Sequence, residues 1–224
     1  MRSVLIRRFE ISDQLTHLFN ALFWAVLAAT GILIGSASRA NLEPTHLSIG
    51  VHFTFGFALA VLLSAYILFA KSRYQRKLFE IFRTDRPFLA WLKCLGGDPS
   101  KILLNRPQKS SSVPPQGRYN AGQKASYLLF TAAIVMLIVT GWLLWVFAPA
   151  IGKDAFLTMW YLHVWGSLLI TVLVVCAHIP LALLSMSHFL GIWRIGTGDI
   201  SWEAAEHHSP VWLEKDVIRT NIEK

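Results

Sequence analysis

Four long runs of the chain are apolar on every face, and the polar residues gather in the stretches between them. The runs are roughly Leu18 to Ile34, Ile49 to Ala70, Ala125 to Phe147 and Trp160 to Leu184. A bilayer core of about 30 Å needs about 20 apolar residues in an α-helix. Inside hydrocarbon the backbone must satisfy its own hydrogen bonds, which leaves helices or a closed barrel. Barrel strands alternate apolar and polar side chains, and these runs do not. The pattern predicts an all-α integral membrane protein: a four-helix bundle forming a single domain over residues 1–224, with helices at about 16–36, 48–70, 124–147 and 159–185.

Between the second and third runs lies the longest polar segment, residues 71–123. Its stretch Phe79 to Leu95 is apolar and basic by turns, which predicts a helix lying on the membrane surface. Gly96-Gly97-Asp98-Pro99 ends it, and Ser110 to Gly117 reads as a flexible Ser/Pro linker. The tail, residues 191–224, is soluble in character and mixed in charge. No repeat of fixed period is evident.

Composition agrees with a membrane protein: 54% of residues are hydrophobic and 15% charged, against about 25% charged in ordinary soluble domains. The formal net charge of +8 at first suggests a nucleic-acid partner, but its distribution points elsewhere. With the N-terminus in the cytoplasm, 19 of the 21 Lys and Arg residues fall on the cytoplasmic side, and only Arg39 and Lys153 on the outer side. That is the positive-inside asymmetry. The expected location is the bacterial inner membrane, multi-pass, with both termini cytoplasmic and lipid as the surrounding partner. Arg7-Arg8 before Phe9 is reminiscent of a twin-arginine export signal; its plainer role is to anchor a retained first helix at the inner surface.

Cys94 is expected in the inner loop and Cys176 within the fourth span, so a disulfide between them is not expected. The chain has no C-x-x-C-H motif, which excludes covalent c-type haem attachment. No paired carboxylates, nucleophile or phosphate loop suggests other catalysis.

The chemistry gathers on the histidines. His17, His52, His163 and His178 lie in or at the edge of apolar spans, where ionisable groups are costly and mark function by default. Any one of them alone could be a packing residue; their depths argue together. His52 and His163 open helices two and four at the outer side, and His17 opens helix one at the inner side. His178 is 15 residues after His163, about 22 Å further inward and on nearly the same helix face. The residues sort into an outer pair, His52 with His163, and an inner pair, His17 with His178. Two such pairs stacked in a four-helix bundle suit two bis-histidine b-type haems. Zinc would instead need ligands converging at one depth. Gly56 and Gly166, one turn beyond the two outer histidines, would give a porphyrin flat access to its helices, although such glycines also serve helix packing. His46, His188 and the adjacent His207 and His208 are weaker candidates, suited to solvent or partner contacts.

The chain resembles the cytochrome b (gamma) subunit of membrane-bound respiratory formate dehydrogenases. The residues that carry the resemblance are His17, His52 with Gly56, the stretch Arg118-Tyr119-Asn120-Ala121-Gly122-Gln123-Lys124, His163, His178, and a tail with Trp202, His207-His208, Pro210 and Trp212. The resemblance implies an iron–sulfur subunit and a molybdenum or tungsten catalytic subunit as partners. Formate would be oxidised on that other chain, and this subunit would pass the electrons to menaquinone or ubiquinone. It also implies that the partners dock on the outer face, that a higher oligomer of the complex can form, and that Asn120, Gly122 and Gln123 line a quinone site near the inner haem. Asn120 could equally be a plain helix cap. The His163 to His178 spacing is about one residue longer than the family's, with Pro180 close behind; a kink or bulge would restore the geometry. Two alternatives stay open: the cytochrome b of a nickel–iron hydrogenase, and a standalone dihaem quinone oxidoreductase such as a superoxide oxidase.

Overall fold

A computed structural model of the chain describes residues 4–40, 42–83, 88–91 and 114–218. Cys94, the Gly96–Pro99 stop, residues 92–95 of the expected surface helix and the Ser110 end of the linker lie outside these residues.

Among the described residues the fold is all-α apart from one small sheet, and four helices are long and apolar enough to cross a membrane. They are α1 (Ile11–Arg39), α2 (His46–Phe69), α4 (Ala121–Val146) and a composite fourth span, Lys153–Leu183. Helix α3 (Lys71–Phe82) follows α2 directly. The fourth span consists of α5 (Lys153–Leu173), a π-helical turn (Val174–His178) and α6 (Ile179–Leu183). Lengths of 24 to 31 residues correspond to about 36 to 46 Å, more than a bilayer core requires. Only 6 to 11% of each apolar window is buried by the protein itself. Side chains such as Leu33, Val61, Val139 and Leu169 face outward, which is stable only against hydrocarbon. The protein is a multi-pass membrane protein.

Helix ends follow local chemistry. Thr45 caps α2 by accepting from the Ser48 N–H at 3.2 Å. Asp13 and Asp154 sit in the first turns of α1 and α5, and Arg39 in the last turn of α1, each complementing the helix dipole. Helix α1 begins at Ile11, five residues before the expected start at 16, so His17 lies well inside it. Hydropathy stops short here because Ser12, Asp13 and Gln14 are polar; tertiary contacts satisfy Gln14. Similarly, α5 begins at Lys153 rather than near 159. Of the expected surface helix, Phe79–Phe82 belong to α3, which already starts at Lys71, and residues 88–91 are helical; residues 84–87 lie outside the described ones.

The chain divides into two compact units, Phe9–Lys71 with Phe130–Gly198, and Met1–Arg8 with Ser72–Leu129 and Asp199–Lys224. In the first unit α1 packs along α2 and meets α5 and α7 (Met186–Trp193). Gln14, fully buried, fastens α1 to the chain after the fourth span. Its Nε2 donates to the carbonyls of Gly191 at 2.7 Å and Arg194 at 2.8 Å, and its Oε1 accepts from the Gly196 N–H at 3.0 Å. Gly198 has φ +67°, and a Cβ there would collide with the Phe9 carbonyl, so the close approach of these strands requires glycine.

The other unit contains a two-stranded antiparallel sheet, β1 (Leu5–Arg7) with β2 (Asp199–Ser201), in register Ile6 to Ile200. Helices α8 (Trp202–His208) and α9 (Pro210–Trp212) follow β2. Its core is Ile6, Ile200, Ala205, Trp212 and Leu213. The tail is therefore folded onto the N-terminal strand. The described end of the expected flexible linker is also fixed: Gln116 is buried and its carbonyl accepts from the Val211 N–H at 3.1 Å.

Candidate functional site

Within the first unit the four span histidines stand in two pairs. The ring centroids of His52 and His163 are 6.2 Å apart, with planes at 72°. Those of His17 and His178 are 6.4 Å apart, with planes at 40°. The pairing is the one that depth predicted.

The His52–His163 pair is built from two similar hairpins. Thr30 on α1 lies 2.8 Å from Nδ1 of His52 on α2. Thr140 on α4 lies 2.9 Å from Nδ1 of His163 on α5. Both threonines are buried. Each hydroxyl also reaches back to its own helix: Thr30 donates to the Val26 carbonyl at 2.7 Å and Thr140 to the Met136 carbonyl at 2.8 Å. A glycine follows each threonine. A Cβ on Gly31 would stand 3.5 Å from Cε1 of His52, and one on Gly141 would stand 3.2 Å from Cε1 of His163. Thr30-Gly31 and Thr140-Gly141 precede their histidines by 22 and 23 residues from the threonine. Sequence reasoning missed this near-repetition, and the repeated Thr-Gly dipeptide was the signal that could have revealed it. A Cβ on Gly56 would meet Leu27 of α1 at 3.9 Å, and one on Gly166 would meet Met136 of α4.

Aromatic rings surround the His17–His178 pair. Trp193 meets His17 edge-on at 4.9 Å, and Phe130 meets His178 edge-on at 5.4 Å. His178 closes the π-helical turn Val174–His178, which also holds Cys176. In a regular helix Pro180 would remove one backbone bond and press its ring on the Cys176 carbonyl. The wider π turn relieves this and absorbs one extra residue. A bulge here is what the 15-residue spacing from His163 and the nearby Pro180 led one to expect.

This geometry can hold a metal atom between each pair. Two imidazoles bound on opposite sides of one metal by bonds of about 2.0–2.1 Å have centroids about 6 Å apart. Both separations fit. Among the described residues no three His, Cys, Asp or Glu converge as a metal site; each histidine pair would suit a group that brings its other metal donors with it. The family model for prokaryotic cytochrome b561 matches residues 8–192. The chain belongs to this family. Comparison with curated proteins gives no match. As a prokaryotic cytochrome b561, the protein is a membrane b-type cytochrome that binds haem b and works in electron transfer. The matched region contains all four spans and all four paired histidines; the strand β2 and helices α8 and α9 lie beyond it.

The remaining sequence candidates are placed as follows. His46 is exposed at the start of α2. His188 bonds Ser185 at 2.8 Å and meets the Phe9 ring edge-on. His207 and His208 lie ring to ring at 4.6 Å on α8; burial, then His207 and Arg8, push the His208 imidazole below its ordinary value. Asn120 and Gln123 form a reciprocal capping box at the start of α4. Asn120 Oδ1 accepts from the Gln123 N–H at 2.8 Å, and Gln123 Oε1 accepts from the Asn120 N–H at 3.1 Å. A Cβ on Gly122 would come within 2.6 Å of the Trp91 ring.

The stretch before α4 is held by a cationic knot in the second unit. Arg8 is 3% exposed, not the surface anchor expected of it. Its guanidinium donates to the Arg118 carbonyl and lies 4.6 Å from the Trp212 ring, while Arg118 donates back to the Arg8 carbonyl at 2.8 Å. Burial, with the neighbouring Arg118, lowers the Arg8 pKa to about 10. Lys124 donates to the Arg83 carbonyl at 2.7 Å. Glu80 lies among these cations, yet burial outweighs them and raises its carboxyl above the ordinary range.

Proposed function

We propose that this cytochrome is the dihaem membrane subunit of a respiratory formate dehydrogenase. It carries electrons from a periplasmic iron–sulfur and molybdenum or tungsten module across the inner membrane to a quinone. The observation that carries the reading is the pair of histidine couples at two levels of one helical unit, each spaced for one metal atom. Haem supplies one-electron redox chemistry when bound. His52 and His163 would hold the haem on the donor side, and His17 and His178 the one on the acceptor side. The charge asymmetry supports cytoplasmic termini, which would put the His52–His163 level towards the periplasm. Each electron that crosses the membrane then works against about 2.3 kcal/mol per 100 mV.

Formate as the donor rests on the resemblance of the Arg118–Lys124 stretch and the tail. The test is to purify the cytochrome gently with its accompanying subunits and add formate or hydrogen anaerobically. Reduction of the haem bands by formate supports the proposal. Reduction by hydrogen alone assigns the chain to a nickel–iron hydrogenase, and a chain that purifies alone and accepts electrons from superoxide is the standalone enzyme.

Asn120, Gly122 and Gln123 are the proposed quinone residues. The capping box engages both amide oxygens and leaves the NH2 groups as the donors suited to quinone oxygens. Asn120→Asp keeps the cap acceptor and removes the amide donor. Slower haem reoxidation by quinone with unchanged reduction by donor supports the assignment; unchanged reoxidation moves the quinone elsewhere.

A further inference from the structure

We propose that Thr30 and Thr140 are positioning residues that select the ligating nitrogen of His52 and His163 and lower the reduction potential of the haem held between them. This rests on the reading of those histidines as haem ligands. A threonine hydroxyl has one proton and two lone pairs. Thr30 stands 2.7 Å from the Val26 carbonyl and 2.8 Å from His52 Nδ1. Thr140 stands 2.8 Å from the Met136 carbonyl and 2.9 Å from His163 Nδ1. A carbonyl can only accept, so a hydroxyl that donates to its own helix accepts from the histidine; the Leu27 and Leu137 carbonyls, which also reach His52 and His163, favour an N–H on the same rings. Nδ1 then carries the hydrogen and Nε2 the lone pair. The opposite arrangement would give up the hydroxyl's bond to its own helix and would put a proton on the nitrogen that must bind iron.

An imidazole that donates its second N–H is a more basic ligand and is fixed in orientation. Greater basicity favours ferric over ferrous iron and so lowers the potential of this haem. The bonds are matched on both axial ligands and come from separate helical hairpins. Trp193 lies against the His17 ring and Phe130 against the His178 ring. A lower potential at the His52–His163 level makes transfer towards His17–His178 downhill. The two threonines would thereby help set the direction of electron flow.

The test is a spectroelectrochemical titration of the purified holoprotein, wild type against Thr30→Val, Thr140→Val and the double variant, with Thr30→Ser/Thr140→Ser as the conservative control. Valine keeps the shape and removes the hydroxyl. The expected result for the double variant is an upward shift of one of the two haem components by about 59 mV. That equals a tenfold loss of preference for ferric iron. Each single variant gives a smaller shift, the other component stays in place, and the serine variant restores the wild-type curve. Selective loss of that one component in the valine variant, recovered with serine, supports the same conclusion. Unchanged potentials at full haem content, or equal shifts or losses of both components, overturn it. His52→Ala is titrated in parallel: if both haems persist there, the ligand assignment itself is wrong, an outcome distinct from failure of the threonine variants.

Discussion

The His52–His163 and His17–His178 pairs have nearly equal ring separations, 6.2 and 6.4 Å, yet they are built differently. The first sits in regular helices and is supported by two buried hydroxyls and two close glycines. The second is set by a π-helical turn and by an aromatic ring from α7, a helix that Gln14 holds in place. Hydrogen bonds with Thr30 and Thr140 hold the imidazoles of the first pair, and on the proposal above they tune its basicity. In the second, backbone register and packing decide whether the rings meet at all. The first pair should therefore respond to changes in side-chain chemistry, and the second to changes in chain length and docking.

The largest effect expected is from the ligands themselves. Alanine at either His52 or His163 should remove one haem per polypeptide, and alanine at either His17 or His178 should remove the other, as measured by pyridine haemochrome against protein. Loss of the same haem from His52→Ala and His178→Ala would collapse the two-pair scheme.

Next come changes of register in the fourth span. Insertion of one alanine after Leu168 should turn His178 by about 100° and abolish the His17–His178 haem while sparing the other. Deletion of Val175 should instead convert the π turn to regular helix and keep both haems. That variant should melt at a lower temperature, since Pro180 in a regular helix costs about 3 kcal/mol. Equal haem loss in the two variants would show that the π turn does not buffer the register.

Gln14→Leu removes three hydrogen bonds to the chain around α7 and should destabilise the protein by roughly 1–3 kcal/mol. The spectral change should be confined to the His17–His178 haem, because Trp193 rests on His17. A change confined to the other haem would break the comparison.

The smallest effect expected separates two glycines. Gly141→Ala places a Cβ 3.2 Å from His163, and Gly31→Ala places one 3.5 Å from His52. The first should cost about 1 kcal/mol by overpacking and shift the absorption of the His52–His163 haem; the second should be close to neutral in thermal melts. The reverse order would mean that α1, not α4, presses harder on its histidine.

Much of this protein was legible before any contact was known. The spans announce themselves because lipid rewards unbroken apolar runs, and histidine depth follows from counting residues along them. Asn120 reads as a helix cap because its backbone partner lies within one turn. The folded tail was not legible, since its core of Ile6, Ile200 and Trp212 joins residues nearly two hundred positions apart. Arg8 likewise looked like a surface anchor, because its Trp212 and Arg118 partners are remote in the chain.

The sequence by itself determined the all-α membrane class, the four spans and the two levels at which histidines lie. These depend on local hydropathy and on the fixed rise of a helix, and neither needs a partner element. Only the tertiary structure decided how closely the rings of each pair approach, that Thr30 and Thr140 reach the two Nδ1 atoms, and where Gln14 fastens α1. Those outcomes depend on the rotation of each helix about its axis. Apolar runs that are greasy on every face leave that rotation undetermined, and it is settled by close packing between helices and by the few buried polar groups that must find partners there.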